Sequence, residues 1–137
     1  MSLPEAGDVH VVERTFDREE VCEFAALSRD TQAIHTDRDP PMVHGLLTAT
    51  LSTEIGGELA VLARTMTFEF LTPVYAGDTV RCEWTTECVE TRTDRYDLTA
   101  TVECRRTASA WADAEERVVL RGEIAGLVWR SDTDTDG

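Results

Sequence analysis

The sequence predicts an α+β domain in which a curled antiparallel β-sheet wraps around a central buried helix. Three observations carry this reading. The segment 43–55 is apolar on nearly all sides, as a helix enclosed by other elements must be. From Leu59 onward, four stretches rich in Thr, Val and aromatic residues alternate apolar with polar positions, the period of half-buried antiparallel strands. The chain of 137 residues has room for one domain, and its 42% hydrophobic residues supply a core without a metal or disulfide staple.

Residues 9–16 read as a short opening strand. Asp17 can then cap a helix, with Glu20 three residues on as its reciprocal partner. Val21, Phe24, Ala25 and the Leu27/Ser28 pair set one apolar face along that helix to about Leu27. Arg29 to Pro41 form an irregular polar loop that carries Asp30, His35, Asp37, Arg38 and Asp39. Pro40-Pro41 ends it, the buried helix follows from Val43 to Ile55, and Gly56-Gly57 is expected to stop that helix. Strands are expected over 61–71, 78–91, 95–107 and 115–129, joined by turns at Ala76-Gly77-Asp78, Thr93-Asp94 and Ala112-Asp113. Val80, Cys82, Trp84, Thr86 and Cys88 share one parity in the second of these, and Leu98, Ala100, Val102 and Cys104 do so in the third. The domain is expected to span 1–130, and the acidic tail 131–137 to be disordered.

Charge narrows the function. The 27 acidic and 13 basic residues give a net charge of −14, and every basic residue is Arg. Phosphate binding depends on clustered Lys and Arg, which this chain nowhere concentrates, so nucleic acid and anionic membranes are excluded as partners. The acid excess without Lys points to a halophilic protein, because at 1 M salt the screening length falls to roughly 3 Å and self-repulsion becomes tolerable. A GC-rich genome would explain Arg in place of Lys but not the acid excess as well. No apolar run reaches the roughly 20 residues of a membrane helix, and the first residues lack a signal peptide's basic and apolar regions, so a cytoplasmic location is expected. Cys22, Cys82, Cys88 and Cys104 lack zinc-ligand spacing and are read as small, buried, reduced thiols, with no metal site.

Chemistry concentrates between the two helices. A carboxylate at Asp30 and an imidazole at His35, brought to one water, can divide proton transfer between them. The helix that starts near Gly45 offers free backbone N–H groups and its positive dipole end to a developing oxyanion. A loop Asp is as a rule a turn former and a loop His a solvated one, so these signals need support. His44 is read as structural, fixing the loop through a side-chain hydrogen bond. Trp84, Trp111 and Trp129 are read as packing or dimer residues.

Residues 24–37 (FAALSRDTQAIHTD) followed by residues 42–53 (MVHGLLTATLST) resemble the MaoC-like, R-specific enoyl-CoA hydratase family, with its S-G-D-x-N-P-[IL]-H stretch and [IV]-H-G-[ML] helix start. Residues 68–80 (FEFLTPVYAGDTV) look like the family's F-x-x-P-V-x-x-G-D strand-turn-strand, and the resemblance covers roughly residues 10–129. It implies a hot-dog fold, a homodimer and reversible addition of water to a 2-enoyl-CoA, a reaction of fatty-acid metabolism that needs no cofactor beyond the CoA thioester substrate. Asp30 and His35 match the catalytic pair, Gly45 matches the glycine whose N–H holds the thioester oxygen, and Thr53 falls where the family often has a Ser lining the site.

Departures from the pattern are Arg29 for Gly, Gln32 for Asn and Ala33 for Pro, together with a segment Thr36 to Val43 shorter than the family's. Arg29 and Arg38 are candidate contacts for CoA phosphates, or surface charges balancing nearby acids. The short segment keeps open a non-catalytic acyl-CoA-binding chain or the partner subunit of a hot-dog heterodimer. A hot-dog thioesterase is the remaining enzyme alternative.

Overall fold

A computed structural model describes residues 3–111 and 115–133. The chain runs β1 (Val9–Thr15), α1 (Arg18–Ser28), α2 (Ala33–Thr36), α3 (Gly45–Glu58), β2 (Leu62–Phe70), β3 (Thr79–Thr91), β4 (Arg95–Ala108), β5 (Arg117–Trp129) and α4 (Arg130–Thr133). One antiparallel sheet in the order β1-β3-β4-β5-β2 curls around α3. This is the predicted α+β hot-dog layout. The turn expected at Ala112-Asp113 lies outside the described residues, as do residues 134–137 of the expected tail; residues 130–133 form a helical turn instead.

Local signals act as the sequence leads one to expect at α1. Asp17 accepts from the Glu20 N–H at 2.8 Å, and Glu20 accepts from the Asp17 N–H at 3.2 Å, a complete capping box. Val21 and Ala25 are the buried positions of that helix. At the β2–β3 turn Gly77 takes φ 100°, a left-handed conformation in which a side chain would be strained. Asp78, fully buried, accepts from the Tyr75 N–H at 2.9 Å and holds the turn closed.

The helix α3 fills the curl. Leu47, Leu51 and Ile55 pack with Val80, Trp84, Leu98, Val102 and Ile124 in one continuous core. Burial of each such side chain is worth about 1.5–3 kcal/mol.

Gly56-Gly57 do not stop this helix, contrary to expectation. Gly56 is buried beside the Trp84 ring, where even a Cβ would make an ordinary contact at 3.7 Å, and the helix runs on through both glycines. The helix ends instead in a Schellman motif: Val61 N–H donates to the Gly56 carbonyl at 2.8 Å and Ala60 N–H to the Gly57 carbonyl at 3.2 Å. Ala60, at φ 58°, occupies the left-handed position where glycine is usual.

Of the four thiols read as buried, Cys22 and Cys88 depart from that reading and Cys82 and Cys104 do not. Cys82 and Cys104 face each other across β3 and β4, buried, and their hydrogen bond and burial push the Cys104 thiol well above its ordinary range. Cys22 and Cys88 are exposed. Cys22 lies off the α1 face that Val21 and Ala25 bury. Between Thr86 and Cys88 the β3–β4 register shifts, and this bulge breaks the parity that buries Thr86 and would have buried Cys88. Trp84 is buried, as expected of a packing residue, and its Nε1 donates to Thr86 Oγ1 at 3.1 Å. Trp111 and Trp129 are largely exposed.

The edge strand β2 is exposed along nearly its whole length, including Leu62 (60%), Met66 (43%) and Phe70 (54%). Its pairing with β5 depends on two glycines. A Cβ at Gly122 would sit 2.7 Å from the Thr67 carbonyl oxygen, and one at Gly126 would collide with the Leu62 carbonyl. Among the described residues no helix is long and apolar enough to cross a membrane.

Candidate functional site

The segment expected to be irregular contains one helical turn, α2, and that turn aims His35. His35 N–H donates to the Gln32 carbonyl at 2.9 Å, and Met42 N–H returns to the Ile34 carbonyl at 2.8 Å. The His35 Nδ1 lies 2.6 Å from the Met42 carbonyl oxygen. A carbonyl can only accept, so Nδ1 carries the proton and Nε2 is left as a bare lone pair.

That Nε2 stands 3.7 Å from Asp30 Oδ2, with the Asp30 side chain 39% exposed and the His35 side chain 5% exposed. Asp30 follows the left-handed end of α1, where Arg29 has φ 64°. Its Oδ1 accepts from Gln32 Nε2 at 2.8 Å. This amide hydrogen bond, helped by the Gln32 backbone N–H, holds the Asp30 carboxyl below its ordinary range. Gln32 thus does the work of an amide donor despite its longer arm.

His44 does fix the loop. Its Nε2 lies 3.0 Å from the Asp30 carbonyl oxygen, and its ring stacks on His35 with centroids 3.7 Å apart and planes 17° from parallel. The Phe24 ring meets it edge-on at 4.9 Å. Immediately after it, Gly45 opens α3. The first helical bonds of α3 are those of Leu47 and Thr48 N–H to the His44 carbonyl, so the Gly45 and Leu46 N–H groups precede the ladder.

Asp30, His35 and Gly45 line one cavity of about 530 Å³. Its walls are mainly apolar, with Phe24, Met42, Phe70, Leu71 and Val119 among them. A carboxylate and an imidazole in the wall of a mainly apolar cavity set a polar reacting point beside a surface that suits an apolar group. The Phe70 ring fills the space a side chain at Gly45 would need: a Cβ there would come within 2.6 Å of two ring carbons. The sequence reading missed Phe70 as a wall; its place three residues before Pro73, where β2 leaves the sheet edge, was the available signal.

Thr53 is not brought to this cavity; it is exposed on α3, two turns beyond Gly45. Arg29 and Arg38 are exposed as well and lie outside the lining. Asp30, His35 and His44 place three possible ligand atoms within 4.8 Å of one another. Stacked imidazoles direct their in-plane lone pairs nearly parallel, whereas one ion needs them convergent at about 2.0–2.1 Å. The set does not fit a metal in this arrangement.

The family model for the MaoC like domain matches residues 3–108. The chain belongs to the MaoC-like family. No curated protein sequence matches it. Among solved structures, the MaoC-like chain is similar to the (R)-hydratase from A. caviae involved in PHA biosynthesis, at 28% identity and TM-score 0.72, over 91% of this chain and 96% of that one. R-hydratase PhaJ1 from Pseudomonas aeruginosa shares the fold at 19% identity and TM-score 0.74, over 92% and 82%. The ChsH1-ChsH2 complex from Mycobacterium tuberculosis contains a chain of the same fold at 21% identity and TM-score 0.74, over 93% and 100%.

Proposed function

We propose that this MaoC-like protein catalyses the reversible hydration of a 2-enoyl-CoA to the 3-hydroxyacyl-CoA. The observation that carries the reading is the bare His35 Nε2 facing the Asp30 carboxylate at 3.7 Å in the wall of an apolar cavity that Gly45 also lines. Asp30 orients a water by accepting one of its hydrogens. His35 Nε2 takes the other as the water oxygen bonds to the β-carbon of the enoyl group. Negative charge develops on the thioester oxygen, where the Gly45 N–H and the start of α3 stabilise it. His35 then returns the proton to the α-carbon and is neutral again. Water is consumed whole, and no cofactor enters the balance.

Molar salt screens the net charge of −14 from an anionic substrate, and Arg29 and Arg38, exposed and outside the cavity lining, serve as surface charges balancing nearby acids. The protein is a homodimer in this reading, with the exposed β2 edge and its Leu62 and Met66 side chains covered by a second copy, as befits a sheet edge that would otherwise invite aggregation. Halophilic adaptation and a cytoplasmic site of action belong to the same proposal.

The test is loss of enoyl-thioester absorbance from crotonyl-CoA in molar KCl, for the wild type beside Asp30→Asn and His35→Ala. Both variants are expected to fall by roughly 10²–10⁴-fold, the loss typical of a removed general acid or base. Release of free CoA would instead mark thioester hydrolysis. A folded wild type that does neither would leave the non-catalytic partner-subunit reading, to be tested by co-purification of a second hot-dog chain.

A further inference from the structure

His44 touches every part of the proposed machinery without being one of its reacting groups. It is buried, and it forms the N-cap of α3, yet its side chain makes no capping hydrogen bond. Its Nε2 reaches back 14 residues to the Asp30 carbonyl at 3.0 Å instead. Because that carbonyl only accepts, the His44 proton sits on Nε2. Its Nδ1 is then a lone pair, buried and without a hydrogen-bond partner. A fold under no other demand would place an apolar ring here, or would satisfy that nitrogen. The face of the same ring lies against His35, 3.7 Å centroid to centroid, and the next residue is Gly45.

We infer that His44 is a positioning residue for the hydration reaction: its Nε2–H anchors the Asp30 backbone while its ring face sets the tilt of His35, so that carboxylate and imidazole bracket one water. The inference rests on the hydratase reading for its effect on turnover, but not for its geometry. Asp30 lies where α1 has ended, held within its own loop by bonds to Ser28 and Gln32. The His44 bond is what ties that loop to α3, and through α3 to the core. A reacting group displaced by about 1 Å can cost roughly 10²-fold in rate.

Two variants separate the contacts. His44→Phe keeps a ring against His35 and removes the donor; His44→Gln keeps an N–H at similar reach and removes the ring. His44→Phe should lose about 10²-fold in kcat with KM nearly unchanged. His44→Gln restores the donor without the ring face and should recover part of that loss and no more, which a merely space-filling role would not allow. Wild-type kcat in His44→Phe with the fold intact, or a change confined to KM, would overturn the inference. Independently of turnover, ¹⁵N–¹H spectra of the ring nitrogens should show the proton on Nε2 in His44 and on Nδ1 in His35. A His44 proton on Nδ1 overturns the anchor even if crotonyl-CoA proves not to be a substrate. An inactive wild type with the expected tautomers sinks the hydratase reading while leaving the anchor in place.

Discussion

Substituting Gly45 by Ala separates stability from function at one atom. The added Cβ would lie 2.6 Å from the Phe70 ring, whereas non-bonded carbons settle at about 3.5–4.0 Å, so the ring must retreat by about 1 Å. Phe70 is half exposed and can do so, at a cost of about 1–3 kcal/mol for the disturbed packing. Ala gains up to about 1 kcal/mol over Gly as a helix residue. The net cost is about 0–2 kcal/mol, so the melting temperature should stay level or fall by several degrees with the fold intact. The cavity wall beside the proposed oxyanion donor moves nonetheless, and kcat/KM for crotonyl-CoA should fall roughly 10–10²-fold. Adding Phe70→Ala removes the obstructing ring and should restore most of the lost activity, a coupling that independent sites would not show. Wild-type kcat/KM in Gly45→Ala, or no rescue in the double variant, would refute the placing of the thioester oxygen at the Gly45 N–H.

Gln32→Ala removes the hydrogen bond that most lowers the Asp30 carboxyl, so Asp30 should protonate at higher pH. Asp30 must be ionised to orient the water, so the acid limb of the kcat/KM profile should shift to higher pH; an unmoved limb counts against the assignment. Gly126→Ala drives a side chain into the backbone of β2, which cannot yield as a flexible ring does, and should cost about 1–3 kcal/mol by denaturant unfolding. Gly57→Ala, whose Cβ meets nothing within 4 Å, should be neutral or stabilising by up to about 1 kcal/mol. Raising KCl from 0.1 to about 2 M should raise the melting temperature by relieving self-repulsion among the acidic residues. A flat or falling melting temperature would remove the case for halophilic adaptation.

Much of this was legible in the sequence because the signals were local and unambiguous. The Asp17/Glu20 box, the apolar helix 43–55 and the strand parities each depend on neighbours a few residues away; the strands appear within two residues of their expected bounds, and the helix runs three residues past its own. What escaped was set by contacts distant in sequence. Phe70 reads as one more strand residue until its ring is known to lie against Gly45. Cys88 shares the parity of Cys82 until a bulge intervenes. In the candidate site, Asp30 and His35 were readable from spacing and resemblance. The tautomer of His35 was not, because it is fixed by a backbone carbonyl at Met42, and backbone groups carry no residue signature.

Met42 has a consequence for how such a site can diversify. Its carbonyl receives the His35 ring, its N–H grips the Ile34 carbonyl, and its strand-like bridge to Tyr75 pins it to the body of the domain. The stretch 37–41 is therefore an excursion whose two ends are already fastened. Doubling the length of such an excursion costs only about 0.6 kcal/mol in closure entropy. Residues inserted there would lengthen the excursion beside the cavity mouth that Met42 lines without tugging on the imidazole, and residues removed would shorten it equally freely. The length of this segment and the aim of the imidazole are inherited separately, so one can vary without rebuilding the other.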